Sequence, residues 1–143
     1  MRSQCGFTLL ELLVVLVIGG VVTATSIVGL RALNSPLQNG AAQITSFIKQ
    51  VRARAVSTTA AYSIVPISAT RIITRYGNNC ADTPTDDAAL VLNLPTGAHL
   101  PDLSWAFCFS TRGLADGTHV VAVTDDSGTK NIEILLGGSV RVM

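Results

Sequence analysis

The sequence predicts an α+β protein in which one long N-terminal helix, its first half apolar enough to cross a membrane, packs its second half on a C-terminal antiparallel β-sheet or sandwich. Three observations carry this expectation. Phe7 to Leu30 is an apolar run whose only charge is Glu11. A helical stripe then runs from Leu37 to Ala55. Past Thr58 the chain breaks into short β-branched and aromatic runs separated by turn formers. The expected boundaries are 1–6 as a leader, 7–30 as the membrane helix, 31–58 as its amphipathic continuation and 59–143 as a soluble antiparallel β domain.

The apolar run comes first in the chain and poses the sharpest question. As a helix, its 24 residues would rise about 36 Å, enough for a bilayer core. A carboxylate in hydrocarbon is costly unless paired, and no Lys or Arg lies between Phe7 and Leu30. A secretory signal peptide cut near Val22-Thr23-Ala24 has about the right apolar length, but only Arg2 precedes the run and an acid sits inside it. A lipoprotein signal fits worse, because Cys5 precedes the run. A plain anchor leaves Glu11 unexplained. A helix serving both membrane and assembly explains it, if a cation is supplied from another chain.

The hexapeptide "GFTLLE", Gly6 to Glu11, resembles the cleavage site of type IV prepilins and of the pseudopilins of type II secretion. The resemblance implies a pilin-like, lollipop-shaped fold and cleavage by a prepilin peptidase between Gly6 and Phe7, followed by N-methylation of Phe7. It also makes Glu11, five residues into the mature chain, the family's characteristic acid. Cleavage creates the cation the run lacks, because the new Phe7 amine stays charged after methylation. In a filament, the amine of one subunit can lie beside Glu11 of its neighbour, so that two costly charges become one compensated pair. Implied partners are the peptidase/methyltransferase, other pilins or pseudopilins through the helix, and the inner membrane, with a single pass and the β domain on the periplasmic side. Gly19-Gly20, inside the same run, is either a packing notch or a place where the helix loosens.

Asn34-Ser35-Pro36 is a kink or short break. Beyond it Leu37, Ala41, Ile44, Ile48, Val51 and Ala55 advance by 4, 3, 4, 3 and 4, one face of a helix packed on a sheet. Strands are expected at Tyr62–Ser68, Arg71–Tyr76, Ala89–Pro95 and Trp105–Ser110, with Pro66 making the first an edge or bulged strand. "THVVAVT" and "NIEILLG" read as a hairpin around Asp126-Ser127-Gly128, and "GSVRVM" as a last strand. Asn78 to Asp87 is expected to be an exposed loop, with Asp86-Asp87 among its turn residues. "LQNGAAQITSFIKQVRARAVSTTAAYSI", "FCFSTRG" and "IEILLGGSVRVM" are similar to the FimT/GspH-like minor pilins and pseudopilins.

Three cysteines are an odd count. If the leader carries off Cys5, Cys80 and Cys108 remain, either as one disulfide in an oxidising compartment or as two buried thiols. No catalytic constellation stands out, and no cofactor or metal is expected: His99 and His119 have no ligand spacing, and phosphate loops and serine elbows are missing. The chain is therefore expected to be a structural subunit at or near the tip of a type IV pilus or secretion pseudopilus, not an enzyme. The alternative is a DNA-binding minor pilin for natural transformation. It has two footholds: the acid-free stretch from Leu12 to Ala81, with six basic residues, and the C-terminus. DNA-binding FimT proteins carry Gly-Arg-x-Arg there, which this chain matches at Gly138 and Arg141 but not at Ser139.

Overall fold

The computed structural model describes residues 9–19, 35–82 and 84–143, in an N-terminal unit, Met1–Ser35, and a C-terminal unit, Pro36–Met143. In the N-terminal unit, residues 9–19 form a helix, α1, whose apolar side chains from Leu9 to Ile18 are exposed. No helix among the described residues is long and apolar enough to cross a membrane. The rest of the expected 7–30 span lies outside the described residues, as do the 1–6 leader and residues 31–34.

The C-terminal unit opens with α2, Pro36–Thr58. Proline suits a first helical position, where its missing N–H would have had no helical partner. The next N–H, that of Leu37, donates to Asp125 Oδ2 at 3.0 Å, a cap supplied from 88 residues downstream. The first turn of α2 has no acid of its own, so Asp125 takes that place beside the positive end of the helix dipole. At the other end Thr59 adopts φ +50°, a left-handed turn that a β-branched residue seldom takes, and the chain reverses into the sheet. The expected stripe is buried throughout, joined by Gly40 and Phe47. Gly40 is needed where α2 runs close to its neighbours: a Cβ there would lie 3.1 Å from Ala98 Cβ and 3.3 Å from Val123 Cγ2.

Among the described residues seven strands follow: β1 Ala61–Ser68, β2 Arg71–Gly77, β3 Thr85–Asn93, β4 Phe107–Phe109, β5 His119–Asp125, β6 Gly128–Ile134 and β7 Val140–Val142. They form two antiparallel sheets, one ordered β3-β2-β1-β4 and one ordered β5-β6-β7. The α2 stripe, including Ile44, Ile48 and Val51, shares one core with Ile64, Ile72, Phe107 and Phe109 of the first sheet and with Val121, Val123, Ile132 and Ile134 of the second. The α+β class, a helix packed on antiparallel sheets, is what the sequence predicts.

One expectation is met in one of its two forms, and one needs correction. β1 is bulged between Pro66 and Ser68 as anticipated, but it is an interior strand. Proline is tolerated there because β4 is short and pairs only with Tyr62–Ile64, leaving no ladder to break on that side. Asp86 and Asp87 do not lie in a loop; they open β3. Asp86 pairs across the ladder with Arg75, whose Nε is 2.8 Å from Asp86 Oδ1. The register of β3 then jumps, matching Ile73 with Val91 but Thr74 with Asp87. The fully buried Thr74 hydroxyl is satisfied at that jump by donating to the Leu90 carbonyl, 2.9 Å away.

Asp125 also organises the hairpin that the sequence placed at Asp126-Ser127-Gly128: its Oδ1 accepts from the Ser127 hydroxyl and from the Ser127 and Gly128 amides. These bonds hold its carboxyl below the ordinary 3.8, the Ser127 hydroxyl contributing most, with the Leu37 amide adding to the effect. A depressed carboxyl pKa stabilises the fold above the unfolded value and loses that contribution as pH falls through the folded one. Asp125→Ala is therefore expected to lower the urea midpoint at pH 7. The gap to the parent chain should close as pH drops below about 4. A gap independent of pH would remove the ionised carboxylate from this account.

Candidate functional site

Of the residues the sequence marks for processing, Gly6 and Phe7 lie outside the described residues, and Glu11 lies on α1 with its side chain exposed. The C-terminal unit holds the others. Cys80, just beyond β2, is bonded to Cys108 of β4, with Cα atoms 5.9 Å apart. Because β1 lies between β2 and β4, the bridge ties the β2–β3 connection across the middle of the sheet. The alternative of two buried thiols does not hold.

Arg141 sits on β7 directly opposite Glu133 on β6, and its Nε is ion-paired with Glu133 Oε2. Its positive charge is thus balanced within the sheet. Phosphate attraction depends on cations presented together and uncompensated, so this side chain offers a nucleic acid less than its sequence context implies. His99 is exposed and joined to Thr124 through its backbone. His119 is less isolated than expected: its ring stacks on Phe107 at 5.2 Å, and Nε2 lies 2.8 Å from Asp116 Oδ1. Three residues separate that pair, a spacing visible in the sequence but too common to be a signal.

The arrangement that sequence reasoning missed is centred on Arg52. Its stem leaves α2, and its guanidinium donates from Nε to the Gly113 carbonyl at 2.9 Å and from Nη1 to the Gly138 carbonyl at 3.0 Å. One side chain thereby fixes the turn after β4 and the turn before β7 to the helix. Both glycines have positive φ, +72° and +76°. A Cβ on Gly113 would reach 2.9 Å from Val56 Cγ2, and one on Gly138 would reach 2.6 Å from Arg52 Nε. The only sequence trace of this clamp is glycine at the end of "TRG" and within "LGGS".

The two flanks of α2 differ in charge. On the β3 side, Gln43 and Gln50 of the helix border Val91 and Leu92. Beyond them Asp86 and Asp87 open the β3 edge, with Asp82 in the preceding connection. On the opposite side a shallow groove is lined by Lys49, Arg52, Ala53, Val56 and Ser57. Arg112 and Leu114 flank the Gly113 that Val56 and Arg52 touch. Among the described residues no three His, Cys, Asp or Glu side chains gather into a metal-binding group.

Comparison with known proteins bears on the two ends of the chain separately. Residues 1–27 match the family model described as the prokaryotic N-terminal methylation motif. No curated protein matches in sequence. Among solved structures, the minor pseudopilin EpsH from the type 2 secretion system of Vibrio cholerae is similar, with a TM-score of 0.57 at 9% identity, covering 76% of this chain and 97% of that one. The type IV minor pilin FimU of Pseudomonas aeruginosa PAO1 has the same TM-score of 0.57 at 14% identity, covering 75% of this chain and 87% of that one. The chain thus joins an N-terminal methylation motif over residues 1–27 to a C-terminal unit with the fold seen in a minor pilin and a minor pseudopilin.

Proposed function

We propose that this chain is a minor structural subunit of a type IV pilus or a type II secretion pseudopilus, placed at or near the filament tip to aid assembly or substrate export. The observation that carries the reading is the methylation motif over residues 1–27 on a chain whose C-terminal unit is a helix packed on antiparallel sheets. In this reading prepilin peptidase cuts between Gly6 and Phe7, and Phe7 is methylated. Residues 7–30 hold the precursor in the inner membrane with the β domain outside the cytoplasm. The Cys80–Cys108 bridge accords with that placement, since disulfides persist in oxidising compartments.

Assembly then follows from charge. Before cleavage Glu11 has no cation in its own apolar run. Afterwards the Phe7 amine of an incoming subunit can neutralise the Glu11 of its neighbour inside the filament, where an unpaired charge would be strongly unfavourable. Glu11→Ala is expected to be processed normally, giving a mature mass that begins at methylated Phe7. Its recovery in sheared filaments should fall by roughly tenfold or more, the effect of about 1.4 kcal/mol or more per subunit. Undiminished incorporation would remove the pair from the mechanism, and a mature chain beginning after Ala24 would overturn the subunit reading itself.

DNA uptake, the other reading open from the sequence, gains no favouring observation. Its C-terminal foothold, Arg141, is engaged with Glu133. Arg52, part of the acid-free stretch, is engaged with two carbonyls.

A further inference from the structure

The two ends of the Cys80–Cys108 bridge differ sharply in access. Cys80 is exposed, whereas Cys108 is 4% exposed and sits in β4, paired with Ser63 of β1. Phe107 and Phe109, on either side of Cys108, are buried in the core and hold β4 in place. Cys80 lies in a turn with hydrogen bonds of its own. The Asn78 amide donates to Asp82 Oδ2 at 3.3 Å, the Ala81 amide to Asn79 Oδ1 at 2.9 Å, and the Asp82 amide to the Asn79 carbonyl at 3.3 Å. These bonds present residue 80 at the surface whether or not its sulfur is bridged. A disulfide is made and broken by thiolate attack on one of its sulfurs, through a mixed disulfide with an outside partner. The attacking sulfur arrives in line with the S–S bond, opposite the sulfur that leaves. Two effects then compete. Attack on Cys108 would release the Cys80 thiolate into water, the better solvated leaving group. Yet a side chain so fully covered admits no incoming sulfur until β4 leaves β1, which would pull two phenylalanines out of the core. Access decides for Cys80.

We infer that Cys80 is the exchange site of this protein, the residue on which a thiol–disulfide oxidoreductase with a Cys-x-x-Cys pair forms its mixed disulfide, and that Cys108 is the resolving cysteine. In the folded chain, formation and reduction of the bridge pass through the same intermediate in opposite directions. On oxidation the Cys80 thiolate attacks the enzyme disulfide: a bond from Cys80 to the enzyme forms, the enzyme S–S bond breaks, and the second enzyme sulfur leaves as a thiolate. The Cys108 thiolate then attacks Cys80 Sγ, which closes the bridge and releases the first enzyme sulfur. Two electrons pass from the chain to the enzyme, and the two enzyme thiolates take up the protons that Cys80 and Cys108 gave up. The order has a structural consequence. Cys108 reaches Cys80 only once β4 is in place on β1, so the bridge closes last, over a completed sheet. The inference goes beyond the filament-subunit reading and does not depend on it.

The test uses the full-length chain in detergent with Cys5→Ser, so that only the two bridge cysteines remain. The starting protein keeps its bridge, so no loss of fold precedes the exchange. It is mixed with a reduced thioredoxin-type protein whose active pair is Cys-x-x-Ser, which stops at the mixed disulfide. After acid quenching and alkylation, cleavage at Asp82 or Asp102 separates the two cysteines for mass spectrometry. The expected result is an adduct on Cys80 in roughly tenfold or greater excess over Cys108. In cells, Cys108→Ala should trap the oxidoreductase on Cys80 as a band that disappears on reduction, and Cys80→Ala should trap roughly tenfold less or lower still. Both variants lack the same bridge, so a shared loss of stability does not produce that difference. An adduct chiefly on Cys108, equal adducts on both cysteines, equal trapping by the two variants, or reduction by glutathione with none by the protein thiol would each overturn the inference. None of these bears on the subunit reading, which is judged by the Phe7-terminal mass and by Glu11→Ala.

Discussion

Replacing Cys80 and Cys108 by alanine is expected to lower the unfolding free energy by about 3–4 kcal/mol. The bond closes a loop between residues 28 apart in sequence, and in the chain-entropy view its main effect is to restrict the unfolded chain. The native geometry sharpens the expectation. Cys108 is 4% exposed in a three-residue strand that pairs with β1 only at Tyr62–Ile64. A strand that short has few ladder bonds, and the bridge from the β2–β3 connection is what ties it to the rest of its sheet. Serine at 108 should cost more than alanine, because a buried hydroxyl without a partner adds about 1–3 kcal/mol. Trp105, the single tryptophan, stacks on Phe107 at 5.9 Å, one residue before Cys108, so its fluorescence in a urea titration reports the loss directly. An unchanged midpoint would mean that β4 is held by packing alone.

How much of this protein the sequence discloses depends on whether the cause is local. Periodicity is local, and the six stripe residues of α2 from Leu37 to Ala55 are all buried. Turn chemistry is also local, and the Asp126-Ser127 turn joins β5 to β6 with Asp125 opposite Gly128. The N-terminal methylation motif is more local still, matched within residues 1–27. What failed depended on partners distant in the chain. Asp86 and Asp87 have turn-forming side chains, yet they enter β3 because Arg75 waits across the ladder. Phe47 is buried outside the counted stripe because the sheets cover more of α2 than one narrow face. Arg52 reads as one more solvated helix cation until two glycine carbonyls, 61 and 86 residues away, are found at its tip. The same non-locality changed the candidate sites. Arg141 in "GSVRVM" resembles half of a nucleic-acid motif, and only strand pairing discloses that Glu133 faces it.

Gly138→Ala is expected to be about as damaging as loss of the disulfide, at roughly 2–5 kcal/mol, the sum of two separable causes. At φ +76° an L side chain pays about 1–2 kcal/mol for the left-handed backbone. Its Cβ would also press into the Gly113 carbonyl oxygen and lie 2.6 Å from Arg52 Nε, and crowding of that kind costs about 1–3 kcal/mol. Asparagine separates the two, since it tolerates the left-handed region but still carries a Cβ; Gly138→Asn should recover only the backbone share. Arg52→Met should make Gly138→Ala partly less harmful by removing the guanidinium, with a coupling of about 0.5–3 kcal/mol in a double-mutant cycle. It cannot abolish the penalty, because the Gly113 oxygen belongs to the main chain and cannot swing away. If Gly138→Ala were neutral, the turn before β7 would not approach the turn after β4 as described. Arg52 could not then hold both turns to α2.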